Sequence, residues 1–106
     1  MTYDKIAVIG KTDNIMGFKA AGVEVFAVNG SDEARNVLHT IARKGYAVVL
    51  LTEDLAVDMT ETLNRYKTQA YPAIIPIPTA KGSSGIGIKG IIEDADKAIG
   101  SDLLFR

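Results

Sequence analysis

The sequence predicts an α/β fold, a four-stranded parallel sheet in the order 2-1-3-4 with helices on both faces. Segments with strand and helix character alternate as β-α-β-α-β-α-β-α, and right-handed crossovers then align the strands in one direction. The third strand, Tyr46–Leu51, is apolar throughout, as expected for a central strand buried on both faces. The fourth, Tyr71–Pro78, contains all three prolines of the chain, which favours a sheet edge.

The first strand and helix are predicted near the N-terminus. Lys5–Gly10 is a short apolar run that ends in glycine, which is typical of a buried strand. Asn14 is a candidate N-cap for a short helix, and Gly22 stands where a glycine is expected after the helix C-terminus. The apolar residues of this helix are Ile15, Phe18 and Ala21. The next apolar segment, Val23–Val28, is predicted to form the second strand.

The second helix has the clearest periodicity. Ser31 is a candidate N-cap, and Asp32 and Glu33 follow in the first turn, where the helix dipole favours acidic side chains. Gly45 is expected to follow the end of this helix. The apolar positions recur with helical spacing and define one face, formed by Ala34, Val37, Leu38, Ile41 and Ala42.

Two further helices are predicted in the second half of the chain. Asp58 and Glu61 have the spacing of a capping box. The helix that follows them presents Met59, Leu63, Tyr66 and Ala70. A loop rich in Gly and Ser, Ala80–Gly87, precedes a last helix that ends at Gly100. The apolar face of that last helix consists of Ile88, Ile91, Ile92, Ala95 and Ile99.

The three prolines determine where the fourth strand lies. Pro72 can open the strand, whereas Pro76 and Pro78 lack the N–H that a ladder needs and require a side without a partner strand. The remaining residues of the strand are expected to be buried on both faces, and they are Ala73, Ile74, Ile75 and Ile77. The result is a truncated flavodoxin-like sheet, without a fifth strand, followed by a C-terminal helix and tail.

Composition limits the classes of function. The 106 residues fit a single domain, 1–106, with a rigid α/β core over 1–78 and a linker, helix and tail over 79–106. Charged residues are nearly balanced, with a formal net charge of −1, so no nucleic-acid partner is expected. No apolar run approaches the roughly 20 residues of a membrane span, so we expect no direct membrane insertion. Cysteine is absent, which fits a cytoplasmic protein and excludes thiol catalysis.

Two glycine-containing motifs resemble nucleotide-binding loops. Gly85–Gly90 matches G-x-G-x-x-G, but it follows the last strand instead of the first, and no later strand supplies the acid that holds a ribose. We interpret it as a hinge into the last helix, with an NAD- or ATP-binding enzyme as an alternative. Gly10-Lys11-Thr12 resembles the end of a Walker A loop, yet Lys5 occupies the position of its first glycine. A surface turn is the preferred interpretation.

The chain offers few residues for catalysis. Glu53 and Asp54 follow the central strand, where open α/β sheets place their sites, and two acids there are able to bind Mg²⁺. The alternative function is therefore a receiver-like signalling domain, although helix capping is the preferred role. His39, the only histidine, is expected to point to the side of its helix or to water. No serine has a recognisable base, so we predict no catalytic residue, no cofactor and no metal.

Apolar residues near the C-terminus indicate a binding partner. Ile86 and Ile88 lie in the Gly- and Ser-rich segment, and Leu103, Leu104 and Phe105 continue beyond the glycine that ends the last helix. Burying each of these side chains contributes roughly 1.5–3 kcal/mol. The tail is therefore expected either to fold back on the sheet or to dock on another protein of a complex.

Taken in order, several segments resemble the F subunit of the V-type and A-type rotary ATPases. The resemblance covers essentially the whole chain, and it is most specific where P-A-I-I-P-I-P, a glycine-rich turn and a closing A-I-G-x-D-L-L occur together. One departure is Lys11, where many relatives are expected to have an acid. The matching segments are Lys5–Gly10, Gly17–Val23, Tyr46–Asp54, Pro72–Pro78, Gly82–Ile88 and Lys97–Leu104.

This resemblance implies a non-catalytic rotor protein. In that family the F subunit attaches to the coiled-coil D subunit in the central stalk, ATP is handled by the A and B subunits, and a stalk-base subunit completes the assembly. The stalk passes torque to a membrane ring that moves H⁺ or Na⁺. The family's mobile, contacting region corresponds roughly to 79–106 here. We therefore expect a peripheral protein that binds the D subunit through Ile86, Ile88, Leu103, Leu104 and Phe105.

Overall fold

A computed structural model describes residues 4–79, 89–95 and 97, and these residues form a four-stranded parallel sheet with helices on both faces. The strand order is β2-β1-β3-β4, as the sequence predicts. The strands are β1 (Lys5–Gly10), β2 (Glu24–Ala27), β3 (Tyr46–Thr52) and β4 (Ala73–Ile77). The helices are α1 (Thr12–Lys19), α2 (Ser31–Ile41), α3 (Glu53–Ala56), α4 (Thr60–Tyr66) and a C-terminal helix, α5 (described over 89–95 and at 97).

Strand β3 is the centre of the fold. All seven of its residues are buried, and β1 and β4 flank it in parallel. Because side chains alternate across a sheet, β3 contributes to both apolar clusters. Val49 and Leu51 belong to the cluster beneath α2, α3 and α4, whereas Ala47 and Leu50 belong to the cluster beneath α1 and α5. The continuous apolar run over Tyr46–Leu51 therefore predicted its central position correctly.

The two clusters have different helical covers. On one face, Ala34 and Leu38 of α2 pack with Leu55 and Met59. On the other, Ile15 and Phe18 of α1 are fully buried beside the sheet. Burial on this scale contributes roughly 1.5–3 kcal/mol for each large apolar side chain. Both faces of the sheet are thus covered by helices that pack against it.

Strand β4 lies at the edge of the sheet, as its prolines predict. Pro76 is paired in register with Leu51 of β3. The expectation that the strand is buried on both faces was wrong in part, since Ala73 is exposed and Ile74 and Ile75 are only half-buried. The reason is the edge position, since among the residues that the structure describes β4 has a neighbouring strand on one side only. Ile77 alone among these apolar residues is fully covered.

Two helix starts differ from the sequence predictions. Asn14 lies inside α1, whose N-cap is Lys11, and the Asn14 N–H bonds to the Lys11 carbonyl at 2.9 Å. Ser31 is the first residue of α2, whose N-cap is Gly30. In both cases the residue with N-cap chemistry lies one to three positions after the cap, and no side-chain hydrogen bond caps either helix.

The segment after β3 holds a short helix that the periodicity did not reveal. Glu53 and Asp54 lie in the first turn of α3, where the helix dipole favours acids, but the N-cap is Thr52, so the capping role expected for them was wrong. Asp58 is not the cap of the next helix, since the first helical bond runs from the Leu63 N–H to the Met59 carbonyl at 2.9 Å. Helix α4 begins at Thr60 instead, with Met59 as its N-cap.

Glycine closes the turns after α1 and α2. Gly22 has φ of 81° and Gly45 has φ of 87°, in the left-handed region that side chains with a Cβ rarely adopt. Both glycines stand where the sequence predicted the helices to stop. Each therefore returns the chain to the next strand at low conformational cost.

Candidate functional site

The partner-binding residues chosen from the sequence lie outside the described part of the structure. They are Ile86, Ile88, Leu103, Leu104 and Phe105. Their role stays a prediction. The same holds for most of the Gly85–Gly90 motif, of which only the last two residues are described, at the start of α5.

Helix α5 packs against the sheet through one face. Ala95 is fully buried, and Ile91 and Ile92 are half-buried against the cluster that contains Ile77. The residues on its other face are exposed and mostly charged, and they are Lys89, Gly90, Glu93, Asp94 and Lys97. The apolar face of α5 is thus occupied by its own domain, which leaves the charged face for contact with other molecules.

The carboxyl ends of β1 and β3 bring together a small polar group. The Lys11 Nζ lies 3.8 Å from Asp54 Oδ2. The other carboxylate oxygen of Asp54 and the hydroxyl of Thr52 are both buried, and neither has a hydrogen-bond partner within the described ranges. Glu53 is exposed and does not join this group. Lys11, the position expected to differ from the family pattern, is thus the partner of an acid in the first turn of α3.

Gly10 has a packing role that accounts for its place in the Walker-like turn. A Cβ added there would lie 2.6 Å from Ile15 Cγ2 and 2.6 Å from Thr52 Cγ2. The surface-turn interpretation holds for exposed Lys11 but was wrong for Gly10, which is buried. The cause is the close approach of α1 to the end of β3, which leaves no room for a side chain.

The receiver-like alternative rests on Glu53 and Asp54. Within residues 4–79, 89–95 and 97, no three His, Asp or Glu side chains form a group able to hold a metal ion. The Lys11 ammonium also offsets the charge that Asp54 would offer to Mg²⁺. The alternative stays a prediction, and NMR shifts at these acids during a Mg²⁺ titration would support it.

Hydrogen bonds link α2 to the segment around α4. The His39 Nδ1 and the Tyr66 hydroxyl are 2.8 Å apart, and Arg35 donates to the Asp58 carbonyl at 3.1 Å. Burial raises the pKa of Tyr66, and the nearby charge of Arg43 lowers it in part. The exposed position predicted for His39 is confirmed. Its contact with Tyr66 could not be found from periodicity, because the two residues are 27 positions apart.

A shallow groove runs between the end of α4 and the free edge of β4. Its apolar lining comes from Leu63, Tyr66, Ala70, Ala73, Ile74 and Pro76, with Lys67 and Gln69 completing the wall. Ala70 and Pro76 are exposed. Sequence reasoning placed Tyr66 and Ala70 on one helical face, but α4 ends at Tyr66 and the connection to β4 opens the groove. It is an apolar surface that the sequence analysis did not single out.

Comparison with known proteins identifies the family. The family model described as "ATP synthase (F/14-kDa) subunit" matches residues 6–95, which include all four strands and the helices between them. The chain belongs to the family of ATP synthase F subunits. It is 44% identical over 100 residues to the V-type ATP synthase F subunit of Fusobacterium nucleatum, covering 94% of this chain and 95% of that protein.

Two more relatives come from different groups of organisms. The V-type ATP synthase F subunit of Clostridium perfringens is 41% identical over 102 residues, covering 96% of this chain and 97% of that protein. The A-type ATP synthase F subunit of Methanothermobacter thermautotrophicus is 33% identical over 81 residues, covering 74% of this chain and 76% of that protein. The resemblance noted in the sequence is therefore confirmed, and the chain is a component of a rotary ATPase.

The family model covers some of the candidate partner-binding residues and not others. The family model ends at residue 95, inside α5, so Leu103, Leu104 and Phe105 lie beyond it. Ile86 and Ile88 lie within the matched range. Across the described residues, no helix is both long enough and apolar enough to cross a membrane.

Proposed function

We propose that this F subunit is a non-catalytic central-stalk component that binds the coiled-coil D subunit. In this role it helps to couple ATP hydrolysis or synthesis to H⁺ or Na⁺ transport, at the cytoplasmic side of the membrane and peripheral to it. The observation that carries the proposal is the similarity of 94% to 96% of the chain to proteins named as F subunits of V-type ATP synthases. The A and B subunits and a stalk-base subunit are its further partners in the complex.

The structure supports a mechanical role through the two apolar clusters. A stalk component has to transmit torque without deforming, and close-packed interiors have low compressibility. Here β3 is buried along its whole length, and helices cover the sheet from both sides. A body built in this way is suited to moving as one unit with the shaft to which it is bound.

The polar groups on the carboxyl edge also favour a non-catalytic role. Asp54 is paired with Lys11, and Ile15 and Thr52 pack closely around Gly10. The Lys11–Asp54 ion pair and the close packing at Gly10 are structural roles that involve no bound substrate. We assign ATP turnover to the A and B subunits and the transmission of movement to this chain.

The proposed contact with the D subunit uses Ile86, Ile88, Leu103, Leu104 and Phe105. The apolar face of α5 is packed on the sheet through Ile91, Ile92 and Ala95. Apolar contacts made by the C-terminal region therefore have to come from residues that flank this helix. An interface of roughly 1,200–2,000 Å² is typical of stable complexes, and five such side chains would supply only its apolar centre.

A truncation after Gly100 tests the contact. The truncated chain should retain its thermal unfolding transition but bind the purified D subunit about tenfold more weakly, because three apolar side chains are removed from the interface. A full-length variant with Leu103 and Leu104 changed to Ser should behave like the truncation. Val57→Ser serves as the matched control, since Val57 is 71% exposed on the segment after α3.

The possible outcomes test the tail contact and the stalk function separately. Unchanged affinity of the truncated chain would show that the tail assignment is wrong. Failure of the full-length chain to bind the D subunit, or to co-purify with the A, B and D subunits from its host, would refute the stalk function itself. ATP turnover by the purified chain would refute its non-catalytic role.

A further inference from the structure

The free edge of β4 presents an unusual set of hydrogen-bonding groups. In a parallel ladder, alternate residues direct both N–H and C=O toward the same neighbour. Ala73 to Ile77 pair continuously with Val48 to Thr52, and Pro76 stands in the middle of that ladder without an N–H. The ladder is compatible with Pro76 only if its backbone groups face away from β3. Ile74, two residues earlier, must face the same way.

This edge therefore offers more acceptors than donors. The outward carbonyl oxygens belong to Ile74 and Pro76, while Ile74 supplies the single outward N–H of the strand. An added β-strand needs donors and acceptors in alternation, so Pro76 blocks strand addition. A helix needs nothing from the edge for its own backbone, because its N–H and C=O groups are paired internally. Its side chains are then free to donate to the carbonyl oxygens.

The groove beside this edge has the form and charge that suit such a helix. Its lining is mostly apolar, and Lys67 is the only charged side chain among the described residues that line it. The carbonyl oxygens lie along one side and carry partial negative charge, while the Lys67 ammonium stands on the α4 side. A partner surface that complements both has a hydrogen-bond donor toward β4 and an acid toward Lys67.

We propose that the groove between α4 and the β4 edge binds one helix of the coiled-coil partner, the D subunit. This helix presents an apolar stripe to Tyr66, Ala70 and Ile74. It directs an arginine, lysine or glutamine side chain to the carbonyl oxygens of Ile74 and Pro76 and an acidic side chain to Lys67. The proposal rests on the proposed stalk function, and it adds a surface in the α/β core to the contacts assigned to the C-terminal residues.

The test compares two substitutions of exposed apolar residues. Ala70→Arg places a large cation in the groove, where it competes with the donor of the partner and fills the space for its stripe. Met16→Arg is the matched control, since Met16 is 53% exposed on α1, on the other face of the sheet. Calorimetric titration with the D subunit should show binding weakened by about tenfold or more for Ala70→Arg and within about twofold of wild type for Met16→Arg. Circular dichroism of both variants checks that the fold is retained.

Each result has a defined meaning. If wild type binds the D subunit and Ala70→Arg binds equally well, the groove is not the docking surface, while the stalk function stands. If wild type does not bind, the stalk function itself fails. Two other occupants would also overturn the proposal. A wild-type dimer that Ala70→Arg makes monomeric identifies a second copy. NMR shifts at Ala70 and Ile74 on deletion of residues 98–106 identify the chain's own C-terminus.

Discussion

The hydroxyl of Tyr46 on β3 donates a hydrogen bond to the carboxylate of Glu24 on β2, across the width of β1. The strand between them contributes Lys5, whose Nζ lies 4.6 Å from the centre of the Tyr46 ring. Phe26 meets the same ring edge-on at a centroid distance of 6.1 Å. Side chains from three strands therefore hold the amino end of the sheet together, opposite the edge that carries Lys11 and Asp54.

The Tyr46 contact predicts a loss of stability in alkaline solution. Burial, followed by the hydrogen bond and the charge of Glu24, raises the pKa of Tyr46 to about 12 from its usual value of about 10. Above pH 10 the unfolded chain loses this proton while the folded chain keeps it. The stabilisation is thus complete below pH 10 and disappears as the pH rises through 12, with a slope of at most about 1.4 kcal/mol per pH unit.

Tyr46→Phe isolates this effect from other groups that titrate in the same range. We expect urea denaturation between pH 9 and pH 11.5 to give a shallower decline in the free energy of unfolding for the variant than for wild type. At neutral pH the variant should be less stable by about 1 kcal/mol, because a hydrogen bond to a partly exposed carboxylate is lost. Equal slopes for the two proteins would contradict the raised pKa.

Gly10 predicts a second measurable effect, on packing. Gly10→Ala should lower the free energy of unfolding by about 1–3 kcal/mol, because the new Cβ would lie 2.6 Å from Ile15 and from Thr52. Gly30→Ala is the control, since nothing lies within 4 Å of a Cβ there and its φ of −174° is ordinary extended backbone. It should lower stability by less than about 1 kcal/mol, because alanine is a poorer N-cap residue than glycine. Thermal or urea unfolding measures the stability of both variants. Similar losses of stability in the two variants would refute the close approach of α1 to β3.

The fold was largely predictable because its main signals are local. The apolar run over Tyr46–Leu51 indicates burial on both faces without knowledge of any other segment. The missing N–H of Pro76 limits its strand to an edge by covalent structure alone. Helix periodicity in α2 similarly placed Leu38 and Ile41 in the core. Helix α3 escaped prediction because four residues are too few to show a period.

The candidate surfaces were less predictable because they depend on how distant segments meet. The Lys11–Asp54 pair joins the N-terminal ends of α1 and α3, which only the pairing of β1 with β3 brings together. The groove beside β4 forms because α4 stops at Tyr66, whereas the apolar spacing suggested that the helix continued to Ala70. The partner contacts predicted for the C-terminal residues remain predictions. Truncation after Gly100 tests those contacts, and Ala70→Arg tests the groove beside β4 separately.

Thr52 supplies the last prediction, which concerns the carboxyl edge of the sheet. Its side chain is fully buried, and its hydroxyl has no hydrogen-bond partner within the described ranges. Its methyl group, by contrast, packs against Gly10. Burying an unpaired hydroxyl costs about 1–3 kcal/mol, so Thr52→Val, which keeps the shape, should raise the free energy of unfolding by about 1 kcal/mol. Thr52→Ser keeps the hydroxyl and loses the methyl group, and it should lower stability by a similar amount.

Thr52→Val and Asp54→Asn together distinguish a Thr52 hydroxyl without a partner from one that is bonded to a buried water. The buried oxygen of Asp54 lies in the same polar group, and one ordered water bonded to both residues would satisfy them together. Thr52→Val would then lose a bridging bond and lower stability, and Asp54→Asn would couple to it in a double-mutant cycle. Stabilisation by valine, with additive effects of the Asp54 change, is the result that an unpaired hydroxyl predicts. Urea denaturation of the three variants and the double variant decides between these arrangements.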